Sequence, residues 1–353
     1  MTRRQYLLLS GAAFLPRPGS ATATQRNLSY PLRELQDAVT PRELLFVRDH
    51  FNEPDVSLES WSLRIEGDVA RPYEITFSDL LELPATKMEA VLECAGNAPH
   101  GSAASNGVWE GASLGALLRQ AVPSPGAKFV MLVGADSGRL FDDCPGGAYA
   151  QIVPLAKCLH PNSLVAFKLN GLFLPPQNGF PARAFFPGWY AMDSVKWLQR
   201  VVVLHAGTTA KEFRELGMDR LYNRVVDSAG GQNTARLTSL QVKSAVAWPT
   251  DSLKLPVATH QVWGFAWTGS GSIRSVRVSV DGGKNWAPAR LESGPEQYAW
   301  VKWKFPWRAA PGEYLLMSRA VDSQGNEQPL TRDRARKDGY EANWCMPVRC
   351  SVL

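Results

Sequence analysis

Chemistry in this sequence of 353 residues gathers around one cysteine. In Val91-Leu92-Glu93-Cys94-Ala95-Gly96-Asn97 a thiol closes an apolar run and is followed at once by small residues, which let a bulky group approach the backbone. A thiolate is a soft donor and suits a soft or high-valent transition metal. It is also a nucleophile when a base such as His50 or His100 stands beside it, which would make a metal-free thiol enzyme. By residue type alone, a single cysteine after hydrophobic neighbours is a core thiol more often than either.

Five cysteines are present, at 94, 144, 158, 345 and 350, and an odd count leaves at least one thiol unpaired. Cys345 and Cys350 sit in what reads as a terminal strand, either bridged or as two buried thiols. There is no Cys-x-x-Cys pair, no Cys-x-x-Cys-His site and no His-Glu-x-x-His helix, which argues against a zinc ribbon, a covalently attached haem and a zincin protease.

Three further segments stand in order around the cysteine: Phe46-Val47-Arg48-Asp49-His50, Asn178-Gly179-Phe180-Pro181-Ala182-Arg183 and Ser194-Val195-Lys196-Trp197-Leu198. Together with Cys94-Ala95-Gly96-Asn97 this ordered set resembles the sulfite oxidase family. Gly264-Phe265-Ala266-Trp267-Thr268-Gly269 and Ser279-Val280-Asp281-Gly282-Gly283, followed by Trp286, look like the family's dimerisation domain. The resemblance runs from about Leu44 to Val348.

The resemblance implies a molybdenum-molybdopterin cofactor, with Cys94 as the protein's ligand to the metal and no haem in this chain. It implies oxygen-atom transfer on a small substrate, in the manner of a sulfite dehydrogenase passing electrons to a cytochrome c, and a homodimer. The cofactor-binding residues it implies are Phe46, Arg48, His50, Cys94, Asp136, Asn178, Arg183, Ser194 and Lys196. Arg183 and Lys196 would meet the anionic tail, His50 and Asn178 would supply hydrogen bonds, and Asp136 would face the pterin ring or its linker. The catalytic residues it implies are Cys94, Arg48, which can grip an oxyanion, and Tyr222, which can donate and relay a proton.

This sequence departs from the family pattern at three places. Asn178 stands where a histidine is usual, and Ala98-Pro99-His100 and Asn343-Trp344-Cys345-Met346 stand where sulfite-oxidising members carry two further arginines. Each missing charged hydrogen bond costs roughly 1.5–3 kcal/mol of anion binding. A non-sulfite substrate such as a sulfoxide or an organic S- or N-oxide is the alternative, as is a catalytically silent binding module. A protonated His100 would offset part of the missing charge.

The elements that must hold these residues change character near residue 230. Before it, strand-like runs at 129–133 and 197–204 mix with helix signals such as Ser113 ahead of Leu114-Gly115-Ala116-Leu117-Leu118. The segment 228–234 reads as a flexible connector, and beyond it alternating runs such as Val276, Val278 and Val280 and tight turns such as Asp281-Gly282-Gly283 spell strands only. The expected fold is α+β: a mixed α/β molybdopterin domain over 25–230, then an immunoglobulin-like β-sandwich over 231–353. Six tryptophans of the second part, at 263, 267, 286, 300, 303 and 307, are expected to pack in core or interface.

Residues 1–24 resemble a twin-arginine export signal: Arg3-Arg4 precede an apolar stretch from Leu7 to Leu15, with Ala21-Thr22-Ala23 offering a cleavage site. That stretch is well short of the roughly 20 residues needed to span a bilayer, so a periplasmic protein is expected. The 38 basic and 33 acidic residues are scattered rather than run together, which argues against nucleic acid as a partner.

Overall fold

A computed structural model describes residues 26–353 apart from 209, 229, 230, 293 and 295. The export signal expected at 1–24 lies outside the described residues.

Two five-stranded sheets build the first half. One is antiparallel and runs Leu172–Phe173, Leu164–Leu169, Ala104–Ser113, Ala85–Glu93, with Arg183–Phe185 also on Leu164–Leu169. The other runs Tyr73–Thr76, Ser62–Gly67, Leu198–His205, Ala127–Gly138, Gly147–Pro154, and only the pairing of Ser62–Gly67 with Leu198–His205 is parallel. Helices here are short. Leu114–Ala121 starts where Ser113 Oγ accepts the Ala116 N–H at 3.2 Å, and Phe77–Glu82 starts at a capping box of Thr76 and Asp79. The strand expected from Trp197 begins at Leu198, because Trp197 itself takes φ +48°.

The second half is a sandwich of two sheets. Lys243–Trp248, Thr259–Trp267, Val301–Arg308 and Arg290–Leu291 form one. Leu253–Leu255, Val348–Val352, Gly312–Asp322, Ile273–Ser279 and Ala287–Pro288 form the other. Val246, Val262 and Trp303 meet Val276, Leu316 and Val348 between them, the interdigitated core that strand alternation requires. The opposite face of the first of these sheets joins the core of the first half, where Ala245, Ala247, Phe265 and Trp267 pack with Ala95 and Leu35.

One expectation is corrected. The segment 228–234 is no free connector: Asn223–Ser228 and Gly231–Arg236 pair antiparallel as a hairpin, and Val226 also bridges to Arg336. Val225 stands opposite Thr234 and Val226 opposite Asn233, so residues read as linker form one arm of the pair.

Candidate active site

All ten residues singled out in the sequence line one cleft of about 620 Å³: Phe46, Arg48, His50, Cys94, Asp136, Asn178, Arg183, Ser194, Lys196 and Tyr222. His100 is not among them. It lines a different cleft with Asp251 and Met346, and burial lowers its basicity, so it cannot stand in for an arginine beside Cys94.

Cys94 follows the last residue of the strand Ala85–Glu93, is partly exposed and forms no disulfide. Its N–H donates to Ala103 O at 2.9 Å, and its carbonyl accepts the Asn97 N–H at 2.9 Å, closing a tight turn. Asn97 spans that turn, taking the Ala103 N–H on Oδ1 at 3.2 Å and giving Nδ2 to Glu93 Oε1 at 2.9 Å. All five cysteines are free, Cys345 and Cys350 included.

Arg183, on the short strand Arg183–Phe185, is almost fully buried. Nη1 donates to Asn178 O at 3.0 Å and Nη2 to Ser194 O at 2.6 Å, so one guanidinium ties two cleft walls together. Burial brings its basicity down to about 9. Lys196 lies against Trp197, 4.1 Å from the ring centroid, donates to Gln177 O at 3.0 Å and pairs with Asp49. Gly179, at φ +105°, separates these two cations: a Cβ there would meet Lys196 Cβ at 3.0 Å and Arg183 Cβ at 3.2 Å.

Part of the cleft lining is aromatic. His50 stacks on Tyr149 with centroids 4.4 Å apart and hydrogen-bonds the Tyr222 hydroxyl. Tyr222 reaches the cleft from a left-handed backbone, φ +57°, a conformation that costs a non-glycine residue about 1 kcal/mol or more. Burial, then Lys196 and Arg48, lower the His50 imidazolium to about 4, while burial raises Tyr222 well above the usual phenol range. Arg48 is exposed at this cleft, and no ion pair to its guanidinium exists among the described residues.

Three buried atoms of the cleft residues have no hydrogen-bond partner among the described residues: Asp136 Oδ1, Asn178 Oδ1 and Arg183 Nε. Such groups are rare because each costs about 1–3 kcal/mol when left unsatisfied. Two are acceptors and one is a cationic donor, which calls for a ligand carrying N–H donors and an anionic group. Burial also pushes the Asp136 carboxyl up to about 7, against the pull of Lys196, and a donor from a ligand would reverse that. Among the described residues no group of three or more His, Cys, Asp and Glu could hold a metal.

Sequence reasoning missed Tyr149, Gln177 and Met192, which also line the cleft. Tyr149 lies in the strand Gly147–Pro154, where an aromatic signals ordinary strand packing; only its stack on His50 marks it. Also missed was the buried network behind Cys94, where Glu93 Oε1 accepts from Lys243 Nζ at 2.9 Å and Oε2 from Trp267 Nε1 at 2.7 Å.

Residues 50–211 match the model of an oxidoreductase molybdopterin binding domain, and residues 234–344 match that of a Mo-co oxidoreductase dimerisation domain. The chain is 32% identical to sulfite oxidase of Gallus gallus over 320 residues, covering 82% of this chain and 68% of that one. It is 30% identical to mitochondrial sulfite oxidase of Homo sapiens, covering 84% of this chain but only 58% of that one. It is also 31% identical to a nitrate reductase [NADPH] of Emericella nidulans, over 77% of this chain and 34% of that one. The crystal structure of the sulfane dehydrogenase SoxCD from Paracoccus pantotrophus superposes with a TM-score of 0.81 at 26% identity, over 95% of this chain and 87% of that chain. With its α+β first half, its β-sandwich and its thiol at the head of a cationic cleft, this chain belongs to the sulfite oxidase family, molybdopterin-dependent oxidoreductases.

Proposed function

We propose that Cys94 is the protein's ligand to molybdenum and that the chain transfers an oxygen atom to or from a small sulfur-containing substrate. The observation that carries this reading is the meeting, in one cleft, of a partly exposed thiol with three buried polar atoms that lack partners among the described residues. The donor set fits the cofactor: a soft sulfur for the metal, Asp136 and Asn178 oxygens for pterin N–H groups, and Arg183 with Lys196 for the anionic tail. When bound, the cofactor supplies two-electron oxygen exchange followed by one-electron re-oxidation.

The chain's own residues then bind substrate, hold protons and exclude water. Arg48 is the exposed guanidinium of the cleft and can take an oxyanion by a two-pronged contact. Neutral His50 accepts the Tyr222 O–H, so that the phenol keeps its proton, poised toward the cleft. Phe46, Leu92 and Ala95 supply the apolar lining that strengthens these contacts.

For the natural reaction we propose sulfite oxidation, with electrons passed to a separate cytochrome c; neither matched domain is a haem module. A second reading, turnover of a neutral sulfoxide or other oxide, is favoured by the charge of the cleft. With Arg183 and Lys196 given to the cofactor's anionic tail, Arg48 is left as the cleft cation that can hold a substrate anion. We further propose a periplasmic homodimer, on the paired arginines of residues 3–4 and the dimerisation-domain match. Elemental analysis of protein from a cofactor-competent host tests the central claim. About one molybdenum per chain is expected on the single thiolate site, lost in Cys94→Ser. Retention of the metal by that variant sinks the claim. Steady-state rates with sulfite and a neutral sulfoxide then separate the two substrate readings.

A further inference from the structure

Glu93 precedes the cleft cysteine and is almost completely buried, as is Lys243, the first residue of the strand Lys243–Trp248 in the other half of the chain. Their ion pair spans 2.9 Å inside the protein. Each polar atom of the pair is satisfied: Glu93 Oε1 also accepts from Asn97 Nδ2 at 2.9 Å, Oε2 takes Trp267 Nε1 at 2.7 Å, and Lys243 Nζ also donates to Ala98 O at 3.1 Å. Lys243 thus holds the Cys94 turn on both sides, by the side chain before the cysteine and by the carbonyl four residues after it. A third tie from the second half lies between these two, where the Glu341 N–H donates to Ala95 O at 2.9 Å.

A buried ion pair is a weak device for stability, because apolar side chains of the same volume often do as well. Where such a pair sits, then, matters more than that it exists. The neighbours of Lys243 on its face of the strand, Ala245 and Ala247, pack into the core of the first half as small apolar residues. The one charged side chain of that face is spent on the turn that carries the thiol. A lysine suits the task because a compact ammonium reaches acceptors in different directions, here a carboxylate and a carbonyl.

We propose that Lys243, with Trp267, is a positioning residue of the sandwich domain that fixes the direction and reach of the Cys94 sulfur. This deepens the reading of Cys94 as metal ligand and rests on it for its purpose. The geometry of the turn is nonetheless testable without any metal.

The full chain is prepared from a host that cannot make the cofactor, and iodoacetamide alkylation of Cys94 is followed by peptide mass spectrometry. The other four thiols are buried and report whether the protein stays folded. Loosening the turn lets it open locally, so Lys243→Met raises the Cys94 alkylation rate about tenfold, and Trp267→Phe, which keeps both charges, about threefold. Glu93→Gln with Lys243→Met, which leaves no unpaired charge, alkylates as fast as Lys243→Met. In loaded enzyme the electron paramagnetic resonance g-values move in Trp267→Phe, a change that a purely structural role would not produce. Alkylation of Trp267→Phe at the wild-type rate with unmoved g-values overturns the proposal, as does alkylation of the double variant at the wild-type rate. Retention of molybdenum by Cys94→Ser removes the ligand reading instead and leaves the alkylation result standing.

Discussion

Nε2 of His50 and the hydroxyl of Tyr222 share a hydrogen bond at the cleft, and the imidazole lies flat against Tyr149. Burial with two nearby cations keeps His50 neutral down to about pH 4, and burial keeps Tyr222 protonated well past the ordinary phenol range. Neither group changes charge between pH 5 and pH 9. Tyr222→Phe removes the O–H and lowers kcat by about 100-fold, the ordinary worth of a positioned proton donor. The shape of its pH profile over that span stays that of wild type. A new ionisation in the variant, or an unchanged kcat, would count against the pair as a proton-holding unit.

Opposed pH dependences are built into the same cleft of the cofactor-free protein. The folded His50 has a lowered pKa, so its contribution is complete above about 6.5 and is lost as pH falls toward 4. The folded Asp136 carboxyl, raised to about 7, works the other way: its contribution is complete below about 3.8 and is lost as pH rises toward 7. His50 is worth roughly 3 kcal/mol and Asp136 roughly 4 kcal/mol, and between pH 4 and 6.5 their opposite slopes nearly cancel. Urea midpoints should therefore rise with pH in Asp136→Asn and fall with pH in His50→Gln. Parallel slopes in the two variants would refute the assignment.

Arg183→Gln strips the donors from Asn178 O and Ser194 O, two buried carbonyls. Each unsatisfied carbonyl costs about 1–3 kcal/mol, and the cation set toward the cofactor tail goes with them. Calorimetry should give a lower Tm, and pterin fluorescence after acid extraction should give a cofactor content reduced about tenfold. A full complement of cofactor in the variant would remove Arg183 from the binding set.

Lys196→Met removes the ammonium that pairs with the buried Asp49 carboxylate, while the Arg26 N–H at 3.0 Å is among the contacts that remain. The expected loss is about 3 kcal/mol and appears in cofactor-free protein. Adding Asp49→Asn should recover much of it. Denaturant titration of the two variants reads both effects.

The candidate cleft was legible in the sequence because most of its predicted residues come in short motifs in a fixed order, while Asp136 and Tyr222 stand outside them. Four segments name Phe46 to His50, Cys94, Asn178 to Arg183 and Ser194 to Lys196, and the fold brings all four to one cleft. Strands showed through alternation, as in Val276 and Val278, and one helix through Ser113. What stayed hidden depends on pairing across distance. Lys243 opens a strand as any exposed lysine would, and Trp267 satisfies a packing expectation while donating to a carboxylate 174 residues away. The paired strands Asn223–Ser228 and Gly231–Arg236 read as linker because small and polar residues in a hairpin look like those between domains.

The Cys94 turn also sets an order of events during synthesis. Its carbonyl at Ala95 is taken by the backbone of Glu341, and its flanks by Lys243 and Trp267. Until residue 341 has left the ribosome, the nascent chain carries a thiol on an unfinished loop. If the turn seats the cofactor, loading must wait until residue 341 has emerged, so the seat is completed late in synthesis by the second half of the chain.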